Sequence, residues 1–195
     1  MSGQNKVSGV ILAGGLARRM GQRDKGLLML EGLPLAAYAV AAMAPLVDEL
    51  LISANRNRQH YRRFGYPVIA DGNDHFDGPL AGVLAAMRTA SHPTLLVAPC
   101  DSPLIQTRHL QRLLSALTDD ADIAAAYDGE RLHPVFAAIR TRLQTDLMQY
   151  LGSGERKLQN WFNRHRLVRV DFSDVAEIFT NINTPEDLAA LEQTR

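Results

Sequence analysis

The sequence predicts an α/β fold, with a mostly parallel central sheet, helices on both faces and an antiparallel hairpin in the second half. Three observations predict it. Short apolar runs alternate with helical patterns through the first two-thirds of the 195 residues, the order that winds a parallel sheet between two helical layers. The first run, Val7 to Leu12, breaks on Gly14-Gly15 and then on cations, as a buried parallel strand does where it turns at a ligand edge. Later, Asp128-Gly129-Glu130-Arg131 separates two strand-like runs, a hairpin signal.

The elements follow in order. After the first strand, Leu27 to Leu30 reads as a short strand or turn. Pro34 stands where a helix begins, and the alanine-rich run to Met43 is helical and stops near Pro45. Glu49 to Ser53 is the second strand, followed by the polar, basic NRNRQHYRR, which reads as a solvated face. Pro67 to Ala70 is the third, ending on Asp71. GPLAG at 78–82 turns into a helix to about Ala90, and Thr94 to Ala98 is the fourth strand, ending in Pro99-Cys100-Asp101-Ser102-Pro103. Thr107 reads as the cap of a helix whose leucines at 110, 113, 114 and 117 share a face. Ile123 to Tyr127 and Leu132 to Ile139 form the hairpin, helices run from about Thr141 to Leu151 and from near Glu155, and Leu167 to Phe172 is another strand. Thr184-Pro185-Glu186-Asp187 carries the cap, proline and acids of a helix start.

Composition bounds the function. A chain of this length is most simply one domain, residues 1–195, and at this size buries roughly 70% of the surface its unfolded form exposes. The single cysteine, Cys100, rules out an internal disulfide and fits the cytoplasm. With 21 basic and 21 acidic side chains, net charge offers nothing to nucleic acid or an anionic membrane. The uncharged run from Gly32 to Val47 is shorter than the ~20 residues of a membrane span and contains two prolines.

The chemistry gathers where the strands end. Gly14-Gly15 followed by Arg18, Arg19, Arg23 and Lys25 offers bare backbone N–H groups and cations, which is what a triphosphate needs. The loop is neither a Walker A loop nor G-x-G-x-x-G, and a glycine pair alone could be only a tight turn. Asp101, held between two prolines, could be an Asx turn; beside a phosphate loop it is a Mg²⁺ ligand, since that ion takes one or two carboxylates plus phosphate oxygens. Asp71 could contact the nucleoside or support the metal. Cys100 reads as a small buried hydrophobe and His133 as a structural or surface histidine. The cluster Arg56, Arg58, Arg62 and Arg63 reads as solvated.

The motifs LAGG-x-x-RRMG-x-x-DKG at 12–26, Ala54-Asn55, Asp71, GPLAG at 78–82, PCDSP at 99–103 and NINTPEDL at 181–188 occur in this order. Together they resemble the bacterial molybdenum cofactor guanylyltransferase (molybdopterin-guanine dinucleotide synthase) family over nearly the whole chain. The resemblance implies a three-layer Rossmann-like nucleotidyltransferase fold, with residues 1–106 binding nucleotide and 107–195 forming the molybdopterin side. It implies that Leu12, Ala13, Gly14 and Gly15 hold GTP, with Lys25 on its phosphates, Ser53 and Asp71 as nucleotide contacts, and Asp101 as both nucleotide contact and Mg²⁺ ligand. Ser53 stands where the family often has Asn, keeping a donor and acceptor on a shorter reach. Arg19, Asn181 and Asn183 fall on the molybdopterin side, to which Gly78 and Gly82 are also assigned; Arg19, Lys25 and Asp101 would be catalytic. The cytidylyl-transferring relatives typically read LAAG where this chain reads LAGG, so Gly14 suits a purine. Substrates would be GTP and molybdenum-molybdopterin, with transient contact to molybdoenzyme maturation proteins. The related cytidylyltransferase of molybdopterin, a sugar-phosphate nucleotidyltransferase and a non-catalytic carrier of GTP and molybdopterin are the alternatives.

Overall fold

The structure, a computed structural model, describes residues 6–13, 16–17, 23–71, 78–180, 182, 187–189 and 191. The strands are β1 (Val7–Leu12), β2 (Leu16–Ala17), β3 (Arg23–Asp24), β4 (Met29–Leu30), β5 (Leu33–Pro34), β6 (Glu49–Ser53), β7 (Val68–Ile69), β8 (Thr94–Pro99), β9 (Ile123–Tyr127), β10 (Leu132–Arg140) and β11 (Leu167–Asp171). The helices are α1 (Leu35–Met43), α2 (Arg58–Arg62), α3 (Pro79–Thr89), α4 (Thr107–Ala116), α5 (Gln144–Gly152) and α6 (Leu158–Phe162).

Seven strands form one sheet in the order β11-β9-β10-β8-β1-β6-β7. β1 lies parallel between β6 and β8, and β11 lies parallel to β9. β10 alone runs the other way, antiparallel to both β8 and β9. The predicted α/β architecture, mostly parallel with an antiparallel hairpin in the second half, is therefore the one observed, and its strands come from both halves of the chain. Two short antiparallel pairs, β2 with β3 and β4 with β5, follow β1.

Alternation along the strands sends side chains to two cores. Ile11, Ile52, Leu96, Ala98, Ala124 and Ala138 face the layer of α1 and α4. Val10, Leu51, Leu95, Val97, Ala125 and Ala137 face α3, α5 and α6. Small alanines on β9 and β10 leave room for bulky buried side chains such as Phe136 and Trp161. A third cluster joins Leu28, Leu30, Leu35 and Ile182, tying the far end of the chain to the loop after β3.

Several local expectations change. The stretch after β6 is not wholly solvated: its basic side chains are exposed, but it winds into α2 and buries Tyr61 completely. α4 begins one residue earlier in its capping than Thr107 suggests. Gln106 is the cap residue, and its backbone N–H donates to His109 Nδ1 at 3.1 Å. The helix expected near Glu155 starts at Leu158. The helix start at 184–186 lies outside the described residues, while residues 187–189 are helical. Among the described residues, no helix is long and apolar enough to cross a membrane.

Candidate active site

Three strands end side by side and carry the site on their carboxyl edge. At the end of β1, Ala13 N–H donates to the Ser53 carbonyl of β6 at 2.8 Å, and Cys100 N–H, just past β8, donates to the Leu12 carbonyl at 3.1 Å. Leu12, Ala13, Ser53 and Asp101 are thus neighbours by backbone ladder. The fourth partner is Gly82 in the first turns of α3. A methyl group there would sit 2.9 Å from Ser53 Oγ and 3.0 Å from Leu12 Cδ2, so only a glycine lets the helix start so close to the strand ends. Gly78 precedes that helix at φ +68° and ψ −159°, a backbone geometry proper to glycine.

Lys25 and Asp101 form the charged centre. Lys25 Nζ lies 3.2 Å from Asp101 Oδ2, and their side chains are only 18% and 13% exposed. Two separate devices hold them. Asp101 rides on the turn after fully buried β8. Lys25 opens a single 3-10 turn, residues 25–27, whose cap is Asp24: the Asp24 carboxylate accepts from Gly26 N–H, from Asn57 Nδ2 and from the Tyr61 hydroxyl. The next residue, Gly26, is wedged against Tyr61 and Cys100; a Cβ there would come within 2.5 Å of the Tyr61 hydroxyl and 3.0 Å of Cys100 Sγ. Burial pushes the Tyr61 phenol well up, assisted by Cys100 and its bond to Asp24. Burial also pushes the Cys100 thiol well up, with Asp101 and Asp24 adding to it. Both stay neutral at ordinary pH, so this floor under Lys25 adds no charge to the site. Cys100 is the buried small hydrophobe expected of it, 3% exposed.

Asp71 follows β7 on the same edge. Its N–H donates to Asn55 Oδ1 at 3.1 Å, so the loops after β6 and β7 are clasped together. Its Oδ1 is buried and has no hydrogen-bond partner among the described residues. Such an acceptor costs about 1–3 kcal/mol when left unmade. From the other end of the chain, Ile182 N–H donates to the Asp101 carbonyl at 3.2 Å.

Of the residues expected from sequence, Leu12, Ala13, Lys25, Ser53, Asp71, Gly78, Gly82 and Asp101 are described, and all sit on this edge. Gly14, Gly15, Arg19, Asn181 and Asn183 lie outside the described residues, as do Arg18 and the side chain of Arg23. Sequence reasoning missed Asp24, Asn57 and Tyr61, which orient Lys25. The D-K-G run at 24–26 was the available signal: an acid, a cation and a glycine in succession suit a capped turn.

Strand ends approached closely by a glycine-started helix, beside a buried cation–carboxylate pair, fit the nucleotidyltransferases, and a model of the MobA-like NTP transferase domain matches residues 9–170. A molybdenum cofactor guanylyltransferase from Shewanella loihica is 44% identical over 189 residues, 96% of each chain. Another from Shewanella halifaxensis is 45% identical over 182 residues, 93% of this chain and 91% of that one. The chain belongs to the molybdenum cofactor guanylyltransferase family and is an enzyme that transfers a nucleotide. Its Rossmann-like fold is shared with a molybdopterin-guanine dinucleotide biosynthesis protein A from Archaeoglobus fulgidus, at a TM-score of 0.80 and 23% identity over 96% of this chain and 97% of that one. A nucleotidyl transferase from Methanothermobacter superposes with a TM-score of 0.77 at 24% identity, covering 97% of both chains.

Proposed function

We propose that the enzyme transfers GMP from GTP to the terminal phosphate of molybdenum-molybdopterin, forming the molybdopterin guanine dinucleotide and releasing pyrophosphate. The observation that carries this reading is the part-buried Lys25–Asp101 pair at the meeting of β1, β6 and β8, in a chain whose relatives are named molybdenum cofactor guanylyltransferase. An oxygen of the acceptor phosphate attacks the α-phosphorus of GTP in line. A new P–O bond forms while the bond to the bridging oxygen breaks, and pyrophosphate leaves with the electron pair. A phosphate monoester is already an adequate nucleophile, so the protein need only position the two phosphates and neutralise their charge.

Lys25 is assigned to the triphosphate, with its reach fixed by the Asp24–Tyr61 bond. The buried Asp71 Oδ1 is an acceptor suited to a nucleoside N–H or hydroxyl. Leu12 and Ala13 supply backbone to the nucleotide. Ser53 is 6% exposed and faces the position of Gly82, so its hydroxyl serves the nucleotide pocket from beneath. Mg²⁺ fits Asp101: its Oδ2 meets Lys25 and its Oδ1 has no partner among the described residues, leaving a carboxylate oxygen for an ion completed by phosphate oxygens and water. When bound, the ion would supply further neutralisation of phosphate charge. Arg19, Asn181 and Asn183, together with Gly78 and Gly82, are assigned to the acceptor; the bond from Ile182 to Asp101 supports that side for the NINTPEDL segment. Apart from Arg19, Gly78 and Gly82, residues to 106 are assigned to the nucleotide and the rest to the acceptor side. The cytoplasm, where GTP is at hand and Cys100 stays reduced, suits the reaction, and handing on so large a product favours transient contact with maturation proteins.

A competition assay tests the reading. With molybdopterin and Mg²⁺ present, pyrophosphate release is expected from GTP and about tenfold or more slowly from CTP. A preference for CTP, or equal turnover with sugar 1-phosphates as acceptors, overturns it.

A further inference from the structure

One polar cluster on the ligand edge has no part in the chemistry assigned so far. β10 runs antiparallel to β8, with Ala137 opposite Val97, so its beginning lies beside the end of β8, where Asp101 follows. The pairing of β10 with β9 breaks between His133 and Ala137, and Pro134 has no N–H to extend a ladder. That irregularity sets His133 into the edge. Its Nε2 lies 2.6 Å from Asp128 Oδ2, and the Asp128 carboxylate also accepts from Arg131 N–H at 2.7 Å and Glu130 N–H at 2.9 Å. Those backbone N–H groups, with His133, hold Asp128 well below the usual carboxylate range. The imidazole lies flat on Phe179, 3.9 Å between centroids at 12°, and meets Phe136 edge-on at 6.5 Å. Its side chain is 11% exposed.

A histidine clamped on one nitrogen, stacked on one face and reachable at an edge has its remaining nitrogen aimed by construction. Nδ1 has no hydrogen-bond partner among the described residues. Phe179, the stacking partner, stands three residues before Ile182, whose N–H reaches the Asp101 carbonyl. The histidine therefore stacks on the segment that leads to Ile182 and its bond to Asp101.

We propose that His133 is an acceptor-binding residue, with Asp128 and Phe179 fixing its ring so that Nδ1 shares a hydrogen bond with the acceptor's phosphate. The proposal rests on the reading of the acceptor as a phosphate monoester. With Asp128 accepting from Nε2–H, Nδ1 donates when the ring is protonated and accepts when it is neutral. With the ring protonated, Nδ1–H donates to a dianionic phosphate whose attacking oxygen carries no proton, so no proton is lost or gained in transfer. The ring orients the nucleophile without acting as its base.

The experiment compares the parent with His133→Phe and His133→Gln in GTP and molybdopterin titrations, following pyrophosphate release, with GTP affinity measured separately by calorimetry. His133→Phe keeps a ring to stack on Phe179 but has no ring nitrogen. The expected result is a KM for molybdopterin raised about tenfold or more in both variants with GTP affinity unchanged, and a smaller rise, about threefold, in Asp128→Asn. The proposal is overturned if His133→Phe keeps the parent's KM for molybdopterin, since stacking alone then suffices. It is equally overturned if both His133 variants lose GTP affinity in parallel, which marks a structural role. Failure of the parent protein itself to use molybdopterin would instead remove the acceptor assignment on which the proposal rests.

Discussion

At the amino edge of the sheet, Asp122 accepts four hydrogen bonds: one from Arg142 Nη2 at 2.6 Å and three from Arg166, through Nε, Nη2 and the backbone, at 3.0 to 3.2 Å. Glu49 on the same edge is filled by Ser8 and Ser91. Arg140 bonds Thr94 and the carbonyls of Leu117 and Thr118 through its terminal nitrogens, although its Nε has no partner among the described residues. A cavity of about 460 Å³ opens here, lined by Val7, Asp48, Thr94 and Arg140 among others, but its charged groups are already bonded within the protein. At the carboxyl edge the pattern reverses. Among the described residues, Asp71 Oδ1 is buried without a partner, Asp101 has an oxygen beside its bond to Lys25, and His133 is bound through one nitrogen. Most charged atoms of the amino edge are bonded within the protein, whereas the carboxyl edge is where the ligand-binding residues are proposed.

Substitutions at the two edges should separate activity from stability. The largest effect is expected at Asp101→Asn, which keeps the shape and removes the charge: kcat should fall by about 10²–10³, with the melting temperature within a few degrees of the parent. Pyrophosphate release across a Mg²⁺ titration measures the first, and retention of full Mg²⁺-dependent turnover would end the metal assignment. At the opposite edge, Asp122→Asn should do the reverse. Its partners are more than half exposed, so solvent screening limits the loss to about 1–3 kcal/mol, or roughly 2–9 °C in melting temperature, with kcat unchanged. Arg166 first, then Arg142, hold the Asp122 carboxyl well below its ordinary value against the opposing effect of burial. A carboxylate depressed in the folded state stabilises above its unfolded pKa, about 3.9, and that contribution fades as pH falls through the folded value. The parent should therefore lose more stability than Asp122→Asn on acidification below about pH 4, measured as melting temperature against pH. The smallest effect belongs to Tyr61→Phe, which removes one bond to Asp24 and is expected to lower kcat/KM by about threefold to tenfold. If it left kcat/KM unchanged, the Asn57 and Gly26 bonds to Asp24 would suffice to place Lys25.

The two edges also differ in how far the sequence reveals them. β1, β6 and β8 are apolar runs that end on Gly14, Ser53 and Asp101, and a parallel sheet collects such ends on one side. The site was legible because its ligand-facing residues are strand termini. Tyr61 was not, since it sits among arginines and glutamine in a helix of five residues, too short to show a period. Its partner Asp24 lies 37 positions away. The stacking of His133 on Phe179 joins a hairpin to a 3-10 segment that no local pattern connects. At the amino edge, no local motif links Asp122 with Arg166, and the parallel pairing of β9 with β11 brings them together. Local patterns betray what a segment becomes; they are silent on side chains whose meaning is their partner.

The pairing of β1 with both β6 and β8 bears on how the chain reaches its native state. Val7 lies opposite Thr94, and the Lys25–Asp101 bond spans 76 residues, so the ammonium and carboxylate meet only after a long loop has closed. Such closures are slow relative to helix formation. Competence to transfer a nucleotide therefore waits on that closure.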